Sequence, residues 1–219
     1  MFLAVVPAYN EENSIGKVVK GLCQNVDEVV VVDDGSTDQT GEIAQRNGAK
    51  AIRHEINRGQ GASLETGRQY AENKGTDYLL FFDGDGQFDP QEVKPALKKL
   101  KEEQADVLFG SRFIARDSQT PWSKKYLLLP LARAVDSVFT GLSLSDVHNG
   151  FKILSRRAIE EIRITQDRMA HASEIPKQVK EKELDYIEFP ISVSYNRYGQ
   201  GAKEGLSVIR DLILGQFID

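Results

Sequence analysis

Cysteine is almost absent from the 219 residues: Cys23 stands alone. A single thiol excludes an intrachain disulfide and a cysteine-based zinc site, and suits a reducing compartment. An excess of positive charge is missing as well. Lysine and arginine number 28 against 33 acidic side chains, a net charge of −5, so the chain does not read as a nucleic-acid binder. Any polyanionic ligand has to be met by local basic residues against the global field. No uninterrupted apolar stretch approaches the ~20 residues that a membrane-spanning helix needs. The stretch "YLLLPLA" (126–132) is short and broken by Pro130, and the opening "FLAVVPAYN" is too short for a signal peptide and has no basic flank. Repeats, low-complexity segments and linkers are lacking too, so residues 1–219 read as one domain of a soluble, cytoplasmic protein. Two nucleotide fingerprints are also missing. No G-x-G-x-x-G follows the first apolar run and no G-x-x-x-x-G-K-[ST] occurs, which argues against a dehydrogenase and a P-loop NTPase.

What is present is the composition of an ordinary globular protein, 40% hydrophobic and 28% charged. Apolar runs at 2–6 ("FLAVV"), 28–32 ("EVVVV") and 77–82 ("DYLLFF"), with a weaker one at 49–54, predict parallel strands covered on both faces. Helical patterns lie between them. Ile15, Val18, Val19 and Leu22 mark one face within 13–24, Asp38 precedes a helix near 39–47, and 62–71 forms another. Asp89 as N-cap and Pro90 at N1 open a helix running to about Lys101, and 105–112 is the next strand. This alternation predicts an α/β fold with a mostly parallel central sheet flanked by helices and right-handed crossovers. Beyond 112 the pattern loosens. A helix is expected near 124–140, a short strand at "FKILS", helices at 155–162 and 173–182, and a strand over 184–195 that Pro190 restricts to an edge or a bend. Leu206, Ile209, Ile213 and Phe217 share a face of a closing helix.

Ligands of open α/β sheets sit outside the carboxyl ends of the strands. Three polar clusters fall there: "PAYNEEN" (7–13), "DDGSTD" (33–38) and "DGDGQ" (83–87). Each alone could be a turn with a helix cap, but three on one rim of a sheet indicate a site. Asp83 and Asp85 repel one another, and burial raises their pKa values unless a cation is present. Asp85 and Gln87 offer hard oxygen ligands, with neither histidine nor cysteine nearby, which suits Mg²⁺ or Mn²⁺ carrying a diphosphate.

The blocks "VVPAYNEEN", "VVVVDDGSTDQT", "NRGQGASLETG", "LLFFDGDGQFDP", "VLFGSR" and "DVHNGFKILSR" follow the order and spacing of the family 2 glycosyltransferases. The chain resembles their GT-A fold, and within them the branch of dolichyl-phosphate mannose synthase and other polyprenyl-phosphate glycosyltransferases. The resemblance is strong over residues 1–160 and weak over 161–219. It implies a single domain whose residues 1–112 hold a nucleotide sugar, UDP- or GDP-linked, and whose residues 113–219 face the acceptor. By position it implies that Pro7, Tyr9 and Glu11 line the nucleotide pocket and that Asp33, with Asp34 behind it, contacts the base. Asp83 would face the ribose and diphosphate, Asp85 and Gln87 would ligate the metal, and Arg112 would approach the diphosphate or the acceptor. Asp146 occupies the branch's aspartate ahead of Gly-Phe, with Asn149 where a small Ser or Thr is frequent. Arg197 and Lys203 match the ends of an R-x-x-G-x-S-K segment, although Gln200 replaces its glycine and Ala202 its serine.

Sugar transfer needs stabilisation of a leaving diphosphate, which a metal on Asp85 supplies, and attack from the opposite face inverts the anomeric centre. A sugar-hydroxyl acceptor requires a base, for which Asp146 is the candidate. A lipid phosphate is already an anion and needs cationic clamps, here Arg112, Arg133, Arg197 and Lys203. The basic set favours a polyprenyl phosphate at the inner face of a membrane. A hydroxyl of a cell-surface polysaccharide or glycolipid is the alternative acceptor, and a non-catalytic nucleotide-sugar-binding module is the alternative of another class. A nucleotidyltransferase would carry a glycine-rich, basic loop where "PAYNEEN" is acidic. His148 and His171 read as polar loop residues, Cys23 as a buried small side chain, and Glu174 as a helix start or a cleft residue. The apolar C-terminal face reads as core or as the contact of a homo-oligomer.

Overall fold

The structure, a computed structural model, describes residues 1–114, 141–167 and 171–194. The helices expected near 124–140 and at the C-terminus, and with them Arg133, Arg197 and Lys203, lie outside the described residues. Among the described residues seven strands form one sheet: β1 (Phe2–Ala8), β2 (Glu28–Asp33), β3 (Lys50–Arg53), β4 (Tyr78–Phe81), β5 (Val107–Ser111), β6 (Lys152–Ser155) and β7 (Tyr186–Pro190). Their order is β3-β2-β1-β4-β6-β5-β7. Only β6 runs against its neighbours, pairing antiparallel with both β4 and β5.

The uninterrupted apolar runs become central strands because both faces are covered. Along β1, Phe2, Ala4, Val6 and Ala8 pack into one core, and Leu3 and Val5 into the other. The first core is closed by α1 (Ile15–Leu22), α2 (Thr40–Arg46) and α4 (Val93–Glu102). The second is closed by α3 (Gln60–Asn73), α5 (Arg156–Glu161) and α6 (His171–Glu181). Ile15, Val18, Val19 and Leu22 are all buried, as their spacing requires. β7 lies at the sheet edge and ends at Pro190, which lacks the N–H a central strand would need.

The differences from expectation have local causes. Asp89 accepts a hydrogen bond from Gln91 N at 2.9 Å, and this tight cap makes Pro90–Glu92 a 3₁₀ turn before α4 begins at Val93. Helix α3 starts two residues earlier than its apolar pattern, because Ala62 N bonds to Asp167 O at 3.1 Å and that carbonyl supports the first turn. Cys23 is exposed at the C-terminus of α1 rather than buried, since Leu22 ends the inward face. Glu174 stays out of the cleft. Its carboxylate accepts from Thr165 N and Gln166 N and ties the segment before α6 to that helix.

Strand β1 is flanked by β2 and β4, so the chain passes to opposite sides of β1 and leaves a crevice at the carboxyl ends of these strands. Helix α3 sets the floor of that crevice. It approaches β1 so closely that a Cβ on Gly67 would stand 2.2 Å from Val5 Cγ1. Arg68, fully buried, holds the same helix through Glu65 at 2.8 Å, Glu72 at 2.9 Å and Ile159 O at 2.6 Å. Gly67→Leu is expected to lower stability by about 1–3 kcal/mol or more, the usual cost of overpacking. Chemical denaturation followed by circular dichroism measures it, and an unchanged midpoint would show that α3 is not seated by this contact.

Candidate active site

A cavity of about 380 Å³ opens at the crevice, lined by Pro7, Tyr9, Glu11, Asp34, Gln60 and Asp85 among others. That volume is in the range of small-molecule sites. Its walls come from the ends of β1, β2 and β4 and from the first turn of α3. Pro7 and Tyr9 carry the wall out of β1, with Tyr9 exposed. Glu11 is fixed at both ends: its N–H donates to Thr40 Oγ1 at 2.8 Å, and its carboxylate accepts from Ser14 Oγ at 2.6 Å.

The two aspartates of "DDGSTD" part company. Asp33 is fully buried and does not line the cavity. Its carboxylate accepts from Ser36 N at 2.8 Å and pairs with Arg53 Nη1 at 2.8 Å, closing the turn after β2. Asp34 is the one on the cavity wall, held by His54 Nδ1 at 2.7 Å, Arg58 N at 3.0 Å and Gly59 N at 2.6 Å.

Across the crevice, Asp83 and Asp85 stand one residue beyond each other after β4. Asp83 Oδ1 accepts from Gln60 Nε2 at 2.8 Å. Its carboxylate lies flat against Gly150, where a Cβ would come within 1.9 Å of Oδ2. Asp85 Oδ1 accepts from Gln87 N at 2.9 Å in a turn that needs the positive φ of Gly86, 76°. Desolvation and the neighbouring Asp85 push the Asp83 carboxyl up to about 6, against the opposing charges of Lys152 and Arg112. Desolvation also raises Asp85. Gln87 enters through its backbone, donating to Asp85 and accepting from Ser194 N at 2.9 Å, and its side chain is not on the cavity wall. Among the described residues no group of three or more His, Cys, Asp or Glu side chains is arranged around one point. The donor set is therefore one of few oxygens. It fits a hard cation such as Mg²⁺ or Mn²⁺ that keeps waters and takes its remaining ligands from substrate phosphates, and it does not fit an all-protein cage.

Behind the acidic pair the loop before β6 carries a second constellation. Asp146 is buried and bidentate to Arg112, Nε at 2.7 Å and Nη2 at 2.8 Å, and also accepts from Arg112 N at 3.1 Å. Asn149 Nδ2 donates to the same carboxylate at 3.0 Å, while its Oδ1 accepts from Phe151 N at 2.9 Å. The amide that departs from the small Ser or Thr thus braces Asp146. Burial alone would raise the Asp146 carboxyl, but the hydrogen bonds and charge of Arg112 outweigh it and hold the group below its ordinary value. Lys152 is buried, with its ammonium on Asn149 O. Burial lowers it to about 8, opposed by Asp83 and Asp146.

The fold therefore brings Pro7, Tyr9, Glu11, Asp34, Asp83 and Asp85 to one cavity and places Arg112 and Asp146 together beside it, with Asp33 and the Gln87 side chain set back. Sequence reasoning missed His54, Gln60 and Lys152. Gln60 and Lys152 sit within quoted motif blocks, and their signal was a polar residue amid apolar or glycine neighbours. His54 ends a weak strand and gave no signal.

The profile described as glycosyl transferase family 2 matches residues 3–163. The UDP-N-acetylglucosamine–dolichyl-phosphate N-acetylglucosaminyltransferase of Methanococcus voltae is 28% identical over 89% of this chain and 86% of its own. The polyprenol monophosphomannose synthase of Mycolicibacterium smegmatis is 26% identical over 73% of this chain and 63% of its own. Among solved structures, glucosyl-3-phosphoglycerate synthase of Mycobacterium tuberculosis, crystallised with Mn²⁺, uridine diphosphate and glucosyl-3-phosphoglycerate, superposes with a TM-score of 0.71 at 18% identity. It covers 97% of this chain and 77% of its own. The sheet order and helical layers are those of the GT-A fold, and the profile spans most of the chain. This chain belongs to glycosyl transferase family 2, and is a nucleotide-sugar-dependent glycosyltransferase.

Proposed function

We propose that the protein transfers a sugar from a nucleotide diphosphate to a polyprenyl phosphate, with inversion, at a membrane surface. The observation that carries the choice of acceptor is the Arg112–Asp146 pair: both carboxylate oxygens of Asp146 are engaged by one guanidinium. An aspartate so held, with its pKa depressed, is a poor base for a sugar hydroxyl. A phosphate monoester needs no base, only cations, and Asp146 then serves to aim Arg112. The names of the two lipid-phosphate relatives support the same acceptor.

In this reading residues 1–112 hold the donor and 113–219 face the acceptor. Pro7, Tyr9 and Glu11 border the nucleoside, and Asp34 meets the base while Asp33 and Arg53 keep its turn closed. Asp83 faces the ribose and diphosphate. Asp85, assisted by Asp83 and the turn at Gln87, holds Mg²⁺ or Mn²⁺. Bound there, the ion would stabilise the charge that develops on the departing diphosphate. Lys152 balances Asp83 and Asp146 from beneath. Arg112, with Arg133, Arg197 and Lys203, would hold the acceptor phosphate opposite the diphosphate, so that one displacement inverts the anomeric centre. No helix among the described residues is long and apolar enough to cross a membrane.

Asp85→Asn is expected to abolish metal-dependent donor binding while leaving the circular dichroism spectrum intact. Calorimetry with and without Mn²⁺ measures this, and an unchanged metal-dependent affinity would remove Asp85 from the metal site. Arg197→Ala and Lys203→Ala should each raise the acceptor KM and cut kcat/KM about ten- to a hundredfold, the worth of a charge-assisted contact, with donor hydrolysis little changed. Asp146→Asn should lower transfer without introducing a steep pH dependence. Its depressed pKa keeps the wild-type group ionised from pH values below the usual carboxylate range upward, so no rate limb near neutrality belongs to it. A nearly dead Asp146→Asn beside mild basic variants would point to a hydroxyl acceptor.

A further inference from the structure

A carboxylate presents about four acceptor positions, two on each oxygen. On Asp34 three are occupied. Oδ1 accepts from His54 Nδ1 at 2.7 Å and Arg58 N at 3.0 Å, and Oδ2 accepts from Gly59 N at 2.6 Å. Nδ1 of His54 is the donor here, because a carboxylate oxygen has only lone pairs to offer it. The ring is fixed from its far side, where Nε2 meets Thr66 Oγ1 of α3 at 2.9 Å. Both side chains of the His54–Asp34 pair are nearly buried, at 9% and 5% exposure, so water does not supply an easy substitute for either contact. Donors from after β3 and from the loop into α3 thus grip one carboxylate and prevent its rotation. One acceptor position remains, on Oδ2, in a residue that lines the cavity.

We infer that His54 is a specificity-determining positioning residue, which by occupying Oδ1 of Asp34 tunes the cavity to an imide base, uracil or thymine, in preference to guanine. The inference rests on the reading of the cavity as a nucleotide-diphosphate site and deepens it. An imide offers a single N–H between two carbonyls, which one acceptor position satisfies. Guanine offers two adjacent N–H donors, which a carboxylate pairs only by presenting both oxygens side by side. With Oδ1 filled, one guanine donor is desolvated without a partner, and an unpaired buried polar group is what site discrimination punishes most. Cytosine and adenine fit worse still, since each presents a ring-nitrogen lone pair beside its amino group and that lone pair would face the carboxylate.

The test is equilibrium binding of UDP, dTDP and GDP to the full chain with Mn²⁺ at fixed salt. UDP or dTDP should bind about tenfold or more tighter than GDP, and comparison of the two shows whether a methyl is admitted. His54→Ala, which vacates one of the two acceptor positions on Oδ1 while Arg58 N keeps the other, should narrow that preference at least about threefold, and Thr66→Val, which only loosens the ring, should narrow it less. A purely structural role would weaken all nucleotides alike and leave the ratio unmoved. GDP binding as tightly as UDP and dTDP in the wild type overturns the inference alone, as does an unaltered ratio in a folded His54→Ala or, should that variant not fold, in Thr66→Val. Failure of all three nucleotides to bind with metal overturns the donor site itself.

Discussion

Negative charge collected at one end of a sheet has to be balanced from within, and here the ammonium of Lys152 and the guanidinium of Arg112 oppose Asp83 and Asp146. Lys152 is buried with its ammonium on Asn149 O, and the charges of Asp83 and Asp146 both raise the lysine pKa that burial depresses. Removing either carboxylate would take from the buried ammonium one of its two opposing charges in a medium of low polarity. The same lysine is the first residue of β6, the antiparallel strand inserted between β4 and β5. The strand that breaks the parallel order thus carries a cation that offsets the acidic rim. Gly150 lets the loop before β6 come down onto the Asp83 carboxylate.

From that balance follows a division of labour around the crevice. The side proposed for the donor is built from the ends of β1 and β2 and the start of α3, where carboxylates are fixed by backbone N–H groups and by His54. The side proposed for the acceptor is built from the end of β5 and the loop before β6, where Arg112 and Asp146 are locked in a bidentate pair. Preorganisation of this kind matters because donors and dipoles aimed in advance need not reorganise as charge develops. Arg112 remains partly exposed, with a third of its side chain accessible, while Asp146 is buried.

Much of the fold could be read from the sequence. Continuous apolar runs such as 28–32 become covered strands because their alternate residues have two cores to enter, and the face of Ile15, Val18, Val19 and Leu22 has one. The site was legible where it is made of motif residues on strand ends. It was less so where two adjacent, chemically identical residues diverge. Nothing in "DD" says that Asp33, the last residue of β2, turns inward to Arg53 while Asp34, one residue on, turns to the cavity. Alternation along the strand decides it, and the final strand residue is set only by pairing with β1 and β3. His54 was illegible, and Lys152 visible only as a polar residue amid apolar neighbours, for a related reason. Their roles come from partners 20 and 69 positions away, through the sheet register and not through local pattern.

The central claim, that the acceptor nucleophile is a phosphate already carrying its charge, is tested most directly by following sugar transfer from a panel of labelled nucleotide sugars with Mn²⁺ to polyprenyl phosphate and, in parallel, to simple sugars. The account predicts a lipid-linked sugar phosphodiester, labile to mild acid and of inverted anomeric configuration, and no turnover on sugar hydroxyls. Transfer to a sugar hydroxyl with none to the lipid phosphate would contradict it.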